Sequence, residues 1–84
     1  MKITVTAEDI RLGKQFSSSR CPIALAMLRC TRKKQVSIGS LSYRAGAGTG
    51  ALLGKLPAKA RKFVTAFDSD QPVKPFSFLL AVPK

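Results

Sequence analysis

Apolar and polar residues alternate at the beginning of the chain, and this alternation predicts a short strand with one wet face. Ile3 and Val5 are the apolar residues of the pattern. Thr6 then stands where it can cap a helix over residues 7–12, and Asp9 occupies the third helical position. This spacing is typical of a capping box, in which the two side chains bond to each other's backbone N–H groups. The chain therefore opens with a strand and a short helix.

Two longer segments carry helical patterns. Proline suits a first helical turn, so Cys21 and Pro22 predict a helix that begins there and ends at residues 30–32. Its first part, Ile23–Leu28, is apolar on every side, which indicates a largely buried helix. The second helix is predicted over Pro57–Phe67, where apolar residues recur at helical spacing on one face.

Three further strands are predicted. Gln35–Arg44 is expected to form one strand with a bulge or bend at Gly39, where the phase of the apolar residues changes. The turn Gly46–Gly50 and a returning strand at Ala51–Leu53 would complete a β-hairpin. Phe76–Val82 is apolar at nearly every position, so we expect a strand that is central or covered on both faces.

The predicted element order is β-α-α-β-β-α-β. It corresponds to the α+β class, with a small antiparallel or mixed sheet and helices packed on one face. Eighty-four residues suffice for one compact domain spanning residues 1–84. The sequence predicts no membrane association, since no apolar run approaches the ~18 residues of a span and the N-terminus lacks the apolar core of a signal peptide.

The charge is strongly positive and unevenly distributed. Lysine and arginine number 15 against 4 acidic residues, which gives a formal net charge of +11. Between Ile10 and Phe67 there are twelve basic residues and no acidic one. Such a continuous positive field attracts nucleic acid, an anionic membrane surface or an acidic protein.

The composition argues against catalysis. The chain has no histidine, which excludes a histidine general base, a Ser-His or Cys-His nucleophile and a histidine metal ligand. Gly54 and Lys55 do not complete a phosphate-binding loop, because Leu56 stands where serine or threonine is needed. The few acidic residues supply too few converging oxygens for a cation. They form two pairs, Glu8–Asp9 and Asp68–Asp70. We therefore expect no enzyme activity, no cofactor and no metal.

The two cysteines are expected to be free and buried. On a helix, the nine-residue separation of Cys21 and Cys30 places them on opposite faces, about 13.5 Å apart along the axis. A disulfide requires Cα atoms within about 7 Å. Reduced thiols are typical of a cytoplasmic protein.

The best functional candidates are basic residues that could group on one surface and contact phosphates. They are Arg29, Arg32, Lys33, Lys34, Arg44, Lys55, Lys59 and Lys62. Tyr43, beside Arg44, is a candidate to stack on a base, although a half-buried strand residue is the alternative. The signatures of common RNA- and DNA-binding modules are missing, so the pattern favours backbone recognition over a base code.

Two stretches resemble a group of short uncharacterised proteins encoded by phages and mobile elements. The first, Ser19–Ala26, reads SRCPIALA; the second runs from Leu56-Pro57 to Pro75–Phe78. The resemblance implies a phage or prophage origin and no particular site residues. It also suggests a stoichiometric inhibitor of a host system, of the kind that anti-CRISPR proteins represent.

Three hypotheses follow from these observations. The leading one is a non-enzymatic module that contacts nucleic acid or a host nucleoprotein complex through its basic surface. The alternative is an inhibitor, anti-defence or anti-CRISPR in type, that binds an acidic host protein by protein–protein contact. The third is a small assembly protein that forms oligomers through exposed apolar residues.

Overall fold

Helices and antiparallel strands build the protein, which places it in the predicted α+β class. The structure is a computed structural model that describes residues 2–39, 41–46 and 51–80. Its elements are β1 (Lys2–Val5), α1 (Ala7–Leu12), α2 (Pro22–Thr31), β2 (Val36–Ile38), β3 (Ser42–Ala45), β4 (Leu52–Lys55), α3 (Ala58–Asp68) and β5 (Phe76–Leu79). Residues 47–50 of the predicted glycine turn and residues 81–82 of the predicted last strand lie outside the described ranges.

The strands of the described residues form two small antiparallel sheets. In the first, β1 pairs with β5, so that Ile3 lies opposite Phe78. The second has the order β2-β3-β4. Its register places Ser37 opposite Arg44, and Arg44 opposite Leu53. The predicted hairpin between the strands that flank the glycine turn is therefore confirmed as the β3–β4 pair.

The segment 35–44 differs from the prediction, because the chain reverses within it and forms two strands. The N–H group of Gly39 donates to the carbonyl oxygen of Ser42 at 2.8 Å, which closes the turn between β2 and β3. The change of apolar phase at Gly39 marks this reversal. Both strands can thereby bury their apolar residues on one face, and these are Val36, Ile38, Tyr43 and Ala45.

The last strand was expected to be central or covered on both faces, and this prediction is wrong for the described residues. β5 pairs with β1 alone in a two-stranded sheet. One face is covered, where Phe76 stacks on Phe63 of α3 with ring centroids 4.8 Å apart. The other face is open, and Leu79 is 70% exposed. Strand β5 therefore has apolar residues on both faces, although only one of these faces is covered.

Helix α2 holds the two sheets together. It packs against β1 of one sheet and against β2 and β3 of the other, while α1 packs against α2. Ile23 and Met27 of α2 are fully buried, as are Ile3 and Val5 of β1. The buried residues form one apolar cluster. The apolar residues on every side of the first part of α2, Ile23–Leu28, suit this central position.

The predicted helix starts are confirmed in detail. Thr6 Oγ1 accepts from the N–H of Asp9 at 3.2 Å, and Asp9 Oδ2 accepts from the N–H of Thr6 at 2.9 Å, which completes the capping box. At α2, Cys21 Sγ accepts from the N–H of Ala24 at 3.4 Å. Cys21 and Cys30 are both free thiols, as expected, but only Cys21 is buried, whereas Cys30 is partly buried.

Candidate anion-binding groove

An open groove of about 720 Å³ runs along the β2 edge of the three-stranded sheet. Its walls are edge strand β2, its neighbour β3 and the loop that precedes α2. The side chains that give the groove its polar character are Ser18, Ser19, Arg20, Lys34, Gln35, Ser37 and Arg44. Seven side chains able to donate hydrogen bonds therefore line one depression.

Strand alternation brings two of these side chains together. In β2, Val36 and Ile38 are buried while Ser37 between them is exposed. In β3, Arg44 is exposed between buried neighbours. Because Ser37 and Arg44 are cross-strand partners, their side chains lie on the same open face and close to each other.

The loop before α2 is fixed to the sheet edge by backbone hydrogen bonds. The N–H of Ile38 donates to the carbonyl oxygen of Ser18 at 2.8 Å. The loop itself is closed by Ser17, whose Oγ accepts from the N–H of Arg20 at 3.1 Å. On the other side, the N–H of Lys14 donates to the carbonyl oxygen of Arg20 at 2.9 Å. These bonds set Arg20 beside the strand edge.

The groove has an excess of unneutralised positive charge. Arg20, Lys34 and Arg44 make no side-chain hydrogen bond or ion pair within the described part of the chain. No carboxylate is among the described residues that line the groove. Three cations without counterions raise the local potential, and an anion placed among them would relieve their mutual repulsion. Arginine adds a fork of donors that matches phosphate oxygens.

Of the eight basic residues predicted from the sequence, two lie in this groove: Lys34 and Arg44. Arg29 lies elsewhere and is engaged in an ion pair. Its Nη1 and Nη2 atoms donate to the carboxylate of Asp9 at 2.8 and 3.0 Å, and Nη2 also donates to the carbonyl oxygen of Thr4 at 2.7 Å. These contacts give Arg29 a structural role.

The other five predicted residues are distributed over several elements. Lys59 in α3 donates from Nζ to the carbonyl oxygen of Ser77 at 2.9 Å and lies 5.7 Å from the centre of the Phe76 ring. Lys62 is exposed on the same helix, and Lys55 on β4. Lys59 thus helps attach α3 to β5. The lysines of α3 do not line the groove.

The remaining two flank the end of α2. Arg32 is exposed and ends the helix in the left-handed conformation, with φ 59°. Lys33 is half-buried, and its aliphatic chain packs near Gly46. The run that the sequence presents as one basic triplet is therefore divided, and only Lys34 reaches the groove.

Sequence reasoning missed Arg20 and the serines of the groove. The stretch Ser17–Arg20 was interpreted as a loop, although three hydroxyls followed by an arginine were a usable indication of an anion site. Tyr43 was a candidate for base stacking, and the structure excludes this role because the residue is only 3% exposed. Burial also raises the pKa of the Tyr43 hydroxyl. The alternative, a half-buried strand residue, is confirmed as to the strand, but Tyr43 is buried rather than half-buried.

The described ranges contain no group of three or more histidine, cysteine or acidic side chains that could hold a metal ion. Within the same ranges, none of the helices has the length and apolar character needed to cross a bilayer.

Comparison with known proteins gives no match of any of three kinds: no family model, no curated protein and no solved structure resembles this chain. The groove therefore has to be interpreted from its own chemistry.

Proposed function

We propose that this protein is a non-enzymatic binding module that contacts the phosphates of nucleic acid in the groove beside β2. One observation carries the proposal. Arg20, Lys34 and Arg44 converge on a depression together with serine hydroxyls, and no carboxylate is among its described lining residues. Phosphate oxygens need donors and positive charge, and both are supplied here without a competing acidic group.

The rest of the molecule supports the same partner. A net charge of +11 speeds the encounter with a polyanion and adds sequence-independent affinity. The groove presents no buried, shaped cavity for a small substrate, and the chain has no histidine for acid–base chemistry. The resemblance to phage-encoded proteins extends the proposal to nucleic acid held in a host nucleoprotein complex. That resemblance stays a prediction.

The test is fluorescence-detected binding to generic RNA and DNA over a salt series. We expect log K to fall linearly with log salt, by about 0.9 per neutralised phosphate for duplex DNA and about 0.7 for single strands. A triple variant with Arg20, Lys34 and Arg44 changed to alanine should bind more weakly and with a shallower slope. Each lost phosphate contact should remove about 0.7–0.9 from the slope.

The matched control removes the same amount of charge from other surfaces. A variant with Lys2, Arg61 and Lys74 changed to alanine loses three exposed cations that do not line the groove. If both variants lose affinity equally, the binding is a diffuse field effect and the groove is not the site. If the unmodified protein binds neither RNA nor DNA at low salt, the proposal is wrong. Pull-down from nuclease-treated host lysate would then test the alternative, inhibition through an acidic host protein.

A further inference from the structure

A phenylalanine is held in an unusual position beside the groove. Phe16 is 80% exposed, the highest exposure among the large apolar residues described. Its φ of 56° lies in the left-handed region, which bulky residues rarely adopt. Exposure and backbone strain together are unfavourable for stability alone, and such combinations are concentrated at functional sites.

The surrounding hydrogen bonds keep this residue in place. The N–H of Phe16 donates to Asp68 Oδ1 at 3.0 Å. The preceding side chain, Gln15, donates from Nε2 to the carbonyl oxygen of Phe67 at 2.9 Å and to the carboxylate of Asp70. The end of α3 and the turn that follows it thus anchor the Gln15 side chain and the backbone N–H of Phe16, while Phe16 itself stays largely exposed.

Phe16 is also separate from the aromatic cluster. The four other phenylalanines stack on one another through a continuous series of ring contacts: Phe67, Phe63, Phe76 and Phe78. Among the described residues, Phe16 takes part in no ring stacking of this kind. Its face is consequently available to a ligand.

The depression that Phe16 lines is adjacent to the groove, because the two have Ser18 in common. A second depression of about 330 Å³ is lined by Phe16, Ser18, Val64 and the carboxylate-bearing Asp68, and Ser18 also lines the groove. Phe16 and Ser18 are two residues apart, so their Cα atoms are at most about 7 Å apart. The carboxylate of Asp68 is bound to the Phe16 backbone. An apolar platform therefore lies directly beside the cationic groove.

We propose that the partner is single-stranded nucleic acid, with one unpaired base stacked on Phe16 and the adjoining phosphates in the groove of Arg20, Lys34 and Arg44. This inference rests on the proposed phosphate-binding function and specifies its ligand. In the interior of a duplex, each base face is covered by its neighbours, so an exposed protein ring finds no base to stack on except at the ends. In a single strand the faces are accessible, and stacking on an aromatic side chain is tolerant of sequence.

The first experiment compares a single strand with a duplex of the same sequence and length, about 12 nucleotides, which is within the range that small single-strand-binding folds cover. We expect the unmodified protein to prefer the single strand. Phe16→Ala should weaken single-strand binding by about 5- to 150-fold. It should leave duplex binding and the salt slope unchanged, because no phosphate contact is lost. Leu79→Ala, which truncates another exposed apolar residue, is the matched control and should bind as the unmodified protein does.

The second experiment uses tryptophan fluorescence. The chain contains no tryptophan, so Phe16→Trp introduces a single indole at the proposed stacking position. Its emission should be quenched by single strands and not by duplex, with affinity retained. Thermal unfolding of each variant verifies that the fold is intact.

The two proposals fail in different ways. If single strand and duplex bind equally and Phe16→Ala has no effect, the stacking inference is overturned while groove binding stands. If neither nucleic acid binds the unmodified protein at low salt, the proposed function fails and this inference fails with it.

Discussion

Arg29 and Asp9 form a two-point ion pair that joins α2 to the first turn of α1, with N–O distances of 2.8 and 3.0 Å. The Asp9 side chain is 7% exposed and that of Arg29 49% exposed. A third hydrogen bond, from Arg29 to the carbonyl oxygen of Thr4, attaches β1 to the same guanidinium. One arginine thus connects three consecutive elements of the chain.

Loss of Arg29 should destabilise the fold. Arg29→Ala leaves the buried Asp9 carboxylate with only its capping hydrogen bonds, and we expect a decrease of about 1.5–3 kcal/mol in the free energy of unfolding. Urea denaturation measures it. Arg11→Ala is the control, since Arg11 pairs with Glu8 at 3.6 Å and both side chains are about 70% exposed. In Arg11→Ala the free energy of unfolding should decrease by less than about 1 kcal/mol. An equal decrease in the two variants would contradict the structural role assigned to Arg29.

Stability should fall in acid through Asp9. Burial by itself would raise the pKa of this carboxyl, but hydrogen bonds from Arg29 and Thr6 outweigh burial and hold the pKa below 3.8. Because the unfolded state then binds the proton more readily, the contribution of Asp9 is present above the pKa of the unfolded state and is lost progressively as the pH falls through the folded-state pKa. The free energy of unfolding measured between about pH 6 and pH 2 should decline less in Asp9→Asn than in the unmodified protein. Parallel curves would show that Asp9 is not responsible.

Gly54 should not tolerate a side chain. A Cβ atom there would lie 2.9 Å from Cε1 and Oη of Tyr43, whose ring is 3% exposed and closely packed. Gly54→Ala should therefore lower the free energy of unfolding by about 1–3 kcal/mol. At Gly39 the nearest atom would be the carbonyl oxygen of Ser42 at 3.5 Å, an ordinary contact. Gly39→Ala should consequently change stability much less, and equal effects in thermal unfolding would contradict this account.

The kinds of element were predictable where local chemistry decides them. The capping box of Thr6 and Asp9 and the start of α2 at Cys21 depend on neighbours within four residues, and both appear as expected. The chain reversal near Gly39 was harder to predict, because a bulge and a tight turn produce the same change in the phase of the apolar residues. Whether β5 is an edge or a central strand depends on which distant segments pair with it, and the residues of β5 alone do not determine this.

The site was predictable only in part for a similar reason. Lys34 and Arg44 were both candidates, but they meet because β2 and β3 form a hairpin. Arg20 joins them through the hydrogen bond between Ser18 and Ile38, twenty residues apart in the chain. Arg29 was indistinguishable from its basic neighbours in sequence, and only the fold shows that its charge is bound to Asp9.

The two thiols should differ in reactivity. Burial is the main cause that raises the pKa of Cys21, and its sulfur also accepts the capping hydrogen bond of α2. Cys30 is only partly buried. We therefore expect a thiol reagent at mildly alkaline pH to modify Cys30 first, since reaction requires an accessible thiolate. Peptide mass analysis of the labelled protein assigns the sites. In denaturant the two rates should converge, and faster labelling of Cys21 in the folded protein would be inconsistent with its position.

Arg29 should matter for stability and not for nucleic-acid binding, whereas Arg44 should matter for binding and not for stability. Arg44→Ala removes an exposed cation of the groove, so the salt slope of nucleic-acid binding should fall by about 0.7–0.9 and the free energy of unfolding should change by no more than about 0.5 kcal/mol. Arg29→Ala should destabilise the protein and leave the slope unchanged, because its guanidinium is bound to Asp9 and Thr4. The two variants have the same charge, so a difference in slope cannot come from the overall field. Equal slopes would show that the total charge of the chain, and not the geometry of the groove, governs binding.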